Sequence, residues 1–238
     1  MSRALIWYNI SYYAKTLKFI APCMVFIIWH FSIHTQTPVP IWSQYYLTAL
    51  ATFVLANWIG TSFINSEDRT QGYITRLHVK SENAYHLTKI ATILILMIPF
   101  YAIMIFYPMI FGFFVRSLLI TEIIAVVAIH FLFSLMGAAV SILFDTDFYN
   151  QNSVLPLQVL VVLVLVVPFA TIFDGNVFVQ YATYLLPPVN FFGDSFHALD
   201  SGVFVMDSNF LIFVLYALGY SLILITIYTI IIKKKNKQ

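Results

Sequence analysis

Between Lys18 and Glu67 the chain carries no Asp, Glu, Lys or Arg, and further uncharged runs follow Lys89, Glu122, Asp147 and Asp207. A charged side chain at the centre of a bilayer costs on the order of 3 kcal/mol or more, and a helix crossing the hydrocarbon needs about 20 mainly apolar residues. The spacing of charges therefore locates candidate spans. Composition points the same way. Hydrophobic residues make up 61% of the chain and charged ones 9%, against roughly 25% charged in a soluble domain. A soluble fold of 238 residues cannot hide that much apolar surface, so lipid must solvate the remainder.

The run from Lys18 to Glu67 has room for two spans, predicted at Phe19 to Ile33 and Tyr45 to Ile64, with a turn from His34 to Pro40 between them. The third span is predicted at Ile90 to Phe111, the fourth at Leu118 to Phe144, the fifth at Val154 to Phe173 and the sixth at Phe210 to Ile232. Pro99, Pro108, Pro156 and Pro168 fall inside or at the ends of these spans. Proline is tolerated there when neighbouring helices satisfy the freed carbonyls, and it marks kinks that a moving bundle can use as hinges.

Orientation follows from Lys and Arg, which concentrate on the cytoplasmic side. With six spans, Arg3, Lys15, Lys18, Arg69, Arg76, Lys80, Lys89, Lys233, Lys234, Lys235 and Lys237 share one side, and Arg116 alone falls on the other. Five or seven spans would separate the termini and break this segregation. The segment Val177 to Phe192 is uncharged, but it is too short to span and is interrupted by Pro187 and Pro188. It is expected as a re-entrant or interfacial outer hairpin, shielded from lipid by the bundle, within an outer loop 174–209. That loop carries Asp174, Asp194, Asp200 and Asp207 and no Lys or Arg. Residues 1–18 hold Trp7, Tyr8, Tyr12 and Tyr13 without the apolar core and small-residue site of a cleaved signal peptide. They are expected as an amphipathic helix in the inner interface, with its aromatics at headgroup depth. The single cysteine, Cys23, excludes an internal disulfide. The expected fold is thus an all-α integral membrane domain covering 1–238, with six transmembrane helices and both termini cytoplasmic.

Ionisable groups at depth are few. His30 and His34 share one helix face near the outer end of the first span. The spacing could hold a metal, but no Glu follows the first histidine as in a zinc protease. They are expected to bond to backbone or water. Glu122 lies little more than a turn into the fourth span, where it could pair with Arg116 and anchor the helix end, or serve a substrate or proton path. His130 lies deeper in that helix, either as a neutral interhelical hydrogen bonder or as part of such a path. Asp145 and Asp147 are expected to be solvated in a cytoplasmic turn. No glycine is followed by lysine, so there is no P-loop. No catalytic residue, bound metal or bound cofactor is assigned to this chain. Any driven work must draw on a partner or an ion gradient.

The loop 65–89 is polar and contains a short amphipathic pattern. At 100° per residue Tyr73, Ile74 and Leu77 form an apolar face, with Arg69, Arg76 and Lys80 beside it. Asn65 or Ser66 is a candidate cap, with Glu67 and Asp68 in the first turn. A helix too short to stand alone calls for a docking surface; the alternative is a solvated loop held against headgroups by its basic residues.

In this region the chain resembles the ABC-2 class of ATP-binding-cassette transporter permeases, whose second span is followed by a Glu-containing turn, a Gly, a Leu and a Lys opening the third span. Here the segment reads FINSEDRTQGYITRLHVKSENAYHLTKIATIL, which places Glu67, Gly72, Leu77 and Lys89 at the matching positions. Members often carry a proline shortly after that Leu, where this chain has Lys80 and Ser81. The N-terminal helix, the six spans and the outer hairpin around Pro187 and Pro188 extend the resemblance over the chain.

The resemblance implies a half-transporter that pairs with a second permease subunit, identical or different, in the lipid bilayer. Each subunit would dock on a cytoplasmic ATPase dimer, which binds the ATP and Mg. Tyr73 to His78 would be the coupling helix, with Tyr73 and Leu77 as apolar anchors and Arg76 as a polar contact. No nucleic-acid partner is implied. The absence of a ladder of charges along any span, with 23 Phe and 15 Tyr, favours an amphipathic or lipophilic substrate. The usage of Ile, Phe, Tyr and Lys resembles that of an AT-rich Gram-positive bacterium, and the chain is similar to permeases there that export cytolytic peptides such as phenol-soluble modulins or protect against antimicrobial peptides. Two other classes fit a polytopic chain. One is an ion-gradient-driven secondary transporter, for which Glu122 and His130 are the best argument. The other is an immunity-type intramembrane enzyme, for which paired catalytic groups are missing.

Overall fold

A computed structural model of the protein describes residues 2–35, 37–79, 81–145, 151–166 and 208–235. These residues are helical throughout apart from connections and one isolated parallel bridge, Val39 with Phe114. In chain order the helices are α1 (Ser2–Thr16), α2 (Ile20–Ile33), α3 (Ile41–Ile64), α4 (Arg69–Leu77), α5 (Glu82–Ile110), α6 (Ile120–Ser141), α7 (Gln151–Val166) and α8 (Ser208–Lys235). A 3-10 turn, Ile142–Phe144, prolongs α6. Among the described residues four segments are long and apolar enough to cross a membrane: α3, α5, α6 with its 3-10 turn, and Phe210–Ile232 of α8.

The helix ends follow local chemistry. Pro40 adopts an extended conformation and starts α3 four residues ahead of the predicted span, since its missing N–H falls where a helix leaves donors unpaired. Ser81 caps α5 by accepting from the Ala84 amide, so this helix begins well before Ile90 and runs through Lys89. Glu122 accepts the Leu119 amide at 2.8 Å and closes the start of α6. At the first corner Leu17 takes a left-handed conformation, uncommon for a side chain with a Cβ. The chain there bends by 81° between α1 and α2. With its 14 residues α2 is too short to cross alone and counts toward a span only together with α1. Residues 167–173 of the predicted fifth span, residues 174–207 of the outer loop, Pro168, Pro187 and Pro188, Lys80 and Asp147 lie outside the described residues.

The core is built on α3 and α6, which make the most extensive contact, with α5 against both and α8 against α6. Small residues let the two central backbones close. A Cβ on Gly137 would collide with the Phe53 carbonyl oxygen and stand 3.2 Å from the Asn57 amide nitrogen. Trp42, Tyr45, Phe53, Ile129 and Phe133 fill one end of the seam, and Ile59, Ile93 and Met97 the other. Polar glue crosses it at two levels. Thr48 meets His130 Nε2 at 3.1 Å and the Asn57 side chain donates to the Gly137 carbonyl at 3.5 Å, while Gln158 of α7 donates to Asn57 Oδ1 at 2.6 Å.

The connections alternate between two ends of the bundle. At one end lie Lys18, α4, Lys89, Asp145 and Lys234; at the other lie Val39 and Arg116, where the Val39 amide donates to the Phe113 carbonyl at 2.9 Å. The first is called the basic end below.

The first helix, α1, packs against the bundle. Tyr13 is buried, its hydroxyl 3.1 Å from Ser62 Oγ, and Asn9 reaches Thr92 at 3.3 Å, so this helix is clamped onto α3 and α5. Trp7 remains exposed.

Candidate functional site

The residues that the loop motif singles out converge at the basic end. Asp68 is extended and caps α4, its carboxylate accepting the Thr70 amide at 2.8 Å. The cap is therefore Asp68, not Asn65 or Ser66. The Asn65 side chain instead donates to the Phe144 carbonyl at 2.9 Å. With Asp68 capping, Glu67 precedes the helix and turns into the bundle. It accepts the Tyr85 hydroxyl at 2.5 Å, the Thr75 hydroxyl at 3.2 Å and an ion pair from Lys89 Nζ at 3.1 Å.

Gly72 is buried where α4 crosses this cluster: a Cβ there would lie 3.4 Å from the Tyr85 hydroxyl and 3.7 Å from the Glu67 carboxyl. The Lys89 ammonium and the Arg76 guanidinium both lie over the Tyr85 ring, 4.7 and 5.3 Å from its centroid, within the range where the ring quadrupole attracts a cation. Glu67, Gly72, Arg76 and Lys89 are thus joined around Tyr85, a residue outside the motif. Lys89 does not open the apolar part of a span from outside. It is buried, and Glu67 offsets the cost of its charge.

The opposite face of α4 is unlike this. Tyr73, Ile74 and Leu77 are 65%, 45% and 68% exposed, an apolar stripe that nothing among the described residues covers. A nine-residue helix is marginal by itself. What holds this one is the Asp68 cap, the Gly72 crossing and the Gln71 bond to the Tyr8 hydroxyl at 3.0 Å. Arg76 is turned toward Tyr85 and does not stand out with the stripe.

A second polar cluster lies beside the first. Tyr228 of α8 donates to Asp145 Oδ2 at 3.0 Å and meets His86 Nδ1 at 3.1 Å. Asp145 is consequently buried at the end of α6, contrary to the solvated turn expected. Tyr85, His86, Asp145 and Tyr228 escaped sequence reasoning because they come from three separate elements. One signal was readable: Tyr85 stands four residues before Lys89, hence on its face if the helix is extended back to Ser81.

The remaining candidates lie elsewhere. The Arg116 guanidinium pairs bidentately with the buried Glu122 carboxylate, at 2.6 and 2.8 Å, at the start of α6. His130 directs Nδ1 to the Val126 carbonyl at 2.8 Å and faces Thr48 with Nε2 at 3.1 Å, joining α6 to α3. His34 directs Nδ1 to the His30 carbonyl at 2.7 Å. The His30 ring, expected to bond to backbone or water, has no hydrogen-bond partner among the described residues and packs among Phe26, His34 and Tyr107. Among the described residues no three His, Cys, Asp or Glu side chains are grouped to hold a metal ion. An apolar groove of about 300 Å³ separates α2 from α3, lined by Pro22, Phe26, Trp29, Leu50, Val54 and Trp58 among others.

Comparison with protein-family models, with curated proteins and with solved structures finds no match. Fold and site define a class: an all-helical protein with several helices able to cross a membrane, which anchors a short amphipathic helix at its basic end and leaves that helix's apolar face open.

Proposed function

We propose that this chain is the membrane-spanning half of an ATP-driven exporter, coupled through α4 to a separate cytoplasmic ATPase, with amphipathic or lipophilic molecules, peptides first, as its substrates. The observation that carries this reading is the two-sidedness of α4. Its inner face is joined to the bundle, Thr75 bonding to Glu67 and Gln71 to Tyr8 with Gly72 against Tyr85, while Tyr73, Ile74 and Leu77 are exposed. A lever needs both properties: a rigid attachment to what it moves and an apolar surface for what moves it. Six spans, with the termini and α4 in the cytoplasm of a Gram-positive cell, place that surface beside ATP. The resemblance of Glu67, Gly72, Leu77 and Lys89 to the ABC-2 permease pattern supports the same partner, and two such halves would form the transporter. The secondary-transporter reading gains nothing from Glu122 and His130, each engaged in bonds at a helix end or between helices.

The test is purification of the native protein in mild detergent with identification of copurifying chains by mass spectrometry. An ATPase subunit is expected. Tyr73→Ala with Leu77→Asp removes the exposed anchors while leaving the Glu67 cluster in place, and should reduce recovery of the ATPase at least tenfold at unchanged membrane abundance. Full recovery of the partner by this variant would overturn the docking role of α4.

A further inference from the structure

The second cluster at the basic end has a connectivity that docking alone does not use. α4 is bound to α5 by Glu67, which takes the Tyr85 hydroxyl and the Lys89 ammonium. His86, the next residue of α5, meets Tyr85 edge to face, their ring centroids 5.0 Å apart. The His86 ring in turn stands edge to face with Tyr228 of α8, centroids 5.2 Å apart. Tyr228 closes the path onto Asp145 at the end of α6. A phenol has one proton. With that proton given to the Asp145 carboxylate, the Tyr228 oxygen accepts from His86 Nδ1–H, so the bonds run in one direction from α5 through α8 to α6. All four side chains are buried, where such bonds are strong and a missing partner costs the desolvation of the group left behind.

The helix at the end of this path packs along α6 and turns most of its remaining surface outward. Of the four candidate spanning helices α8 has the smallest buried share, with Leu215, Leu222, Ile223 and Ile230 all well exposed. Tyr228 and Ile232 are its buried points at the basic end. A helix with a largely outward surface, held at the basic end through Tyr228 and Ile232 beside the lever, is placed to follow it.

We propose that His86, Tyr228 and Asp145 form a relay that transmits displacement of α4 to α8 and the end of α6, with Tyr228 as the positioning residue. This inference rests on the reading of α4 as the ATPase-docking helix. The test uses the full chain in complex with its copurified ATPase, in a Cys23→Ser background, with paired spin labels read by pulsed electron paramagnetic resonance. One pair, at His78 and Leu87, follows α4; the other, at Ile98 and Leu222, follows α8.

In the otherwise native complex, ATP is expected to shift both distances. Tyr228→Phe should keep the α4 shift and lose the α8 shift. Asp145→Asn, which still offers Tyr228 an acceptor, should keep both. An α8 shift of native size in Tyr228→Phe overturns the relay. So does a Tyr228→Phe protein in which both distances are broadened before ATP is added, since the residue is then general packing. No α4 shift in the native complex overturns the docking reading, and the relay with it. Should Tyr228→Phe fail to assemble, His86→Leu removes the other bond of the same hydroxyl and is judged by the same two distances.

Discussion

Lys89 and Glu67 are buried together, and removing one partner of such a pair strands the other. Glu67→Ala is expected to destabilise the protein by about 3–5 kcal/mol, the cost of an uncompensated buried charge. Glu67→Gln should be milder, because an amide oxygen still accepts from Tyr85. The double variant Glu67→Gln with Lys89→Met removes both charges and should be more stable than the sum of the two single changes, by on the order of 1–3 kcal/mol. Thermal unfolding of the purified protein in one detergent reads all four species. Strict additivity would mean that the ion pair contributes nothing. Part of this was legible in the chain. Glu67, Gly72 and Lys89 stand in a recognisable order, but nothing in their spacing says that Tyr85 is the hub on which they meet. Periodicity reports which face of one helix is apolar; it is silent on contacts between a turn and a later helix. For the same reason Asp145 reads as a solvated turn residue when only its own segment is considered.

Among the helices, the positions of α3, α5, α6 and α8 were readable because charges are expensive in hydrocarbon, whereas the starts of α3 and α5 were not. A cap is a local contest among Ser, Asp and Pro that hydropathy does not register. α5 shows the consequence: its start at Glu82 depends on Ser81, and its passage through Lys89 depends on a carboxylate far upstream. Glycine content is equally ambiguous in sequence and distinct in structure. Gly137 lies against the backbone of α3, while a Cβ on Gly219 of α8 would meet nothing within 4 Å among the described residues. Gly137→Ala must therefore push α3 and α6 apart, and should cut the yield of monodisperse protein severely. Gly219→Ala should be neutral or stabilising by up to about 1 kcal/mol, the helix-propensity difference. Size-exclusion profiles and thermal midpoints of the two variants, measured side by side, decide whether the α3–α6 seam is as close as described. Equal tolerance of both would contradict it.

For the whole molecule, the distribution of charge over the two ends is the main constraint. Lys18, Arg76, Lys89 and Lys234 lie at the basic end and Arg116 at the other. If positive charge is retained in the cytoplasm, then α1, α4 and the end of α8 face inward together, and the chain crosses an even number of times. The crossings at α3, α5, α6 and α8 supply four of these. The six-span expectation would take the other two from the bent α1–α2 unit and from the span predicted at Val154 to Phe173. Cysteine accessibility tests this directly in cells, in a Cys23→Ser background. Val115→Cys, at an exposed site beside Arg116, should react with a membrane-impermeant maleimide in intact cells. Trp7→Cys and Lys234→Cys, both at exposed sites of the basic end, should react only after permeabilisation. Labelling of Lys234→Cys alone from outside would leave an odd number of spans, and would detach the last helix from the side on which α4 lies. Because Tyr228 sits within two helical turns of Lys234 and bonds to the end of α6, that outcome would also contradict the packing at the basic end. The lever reading therefore depends on all three labels, since an amphipathic helix can meet an ATPase only where ATP is.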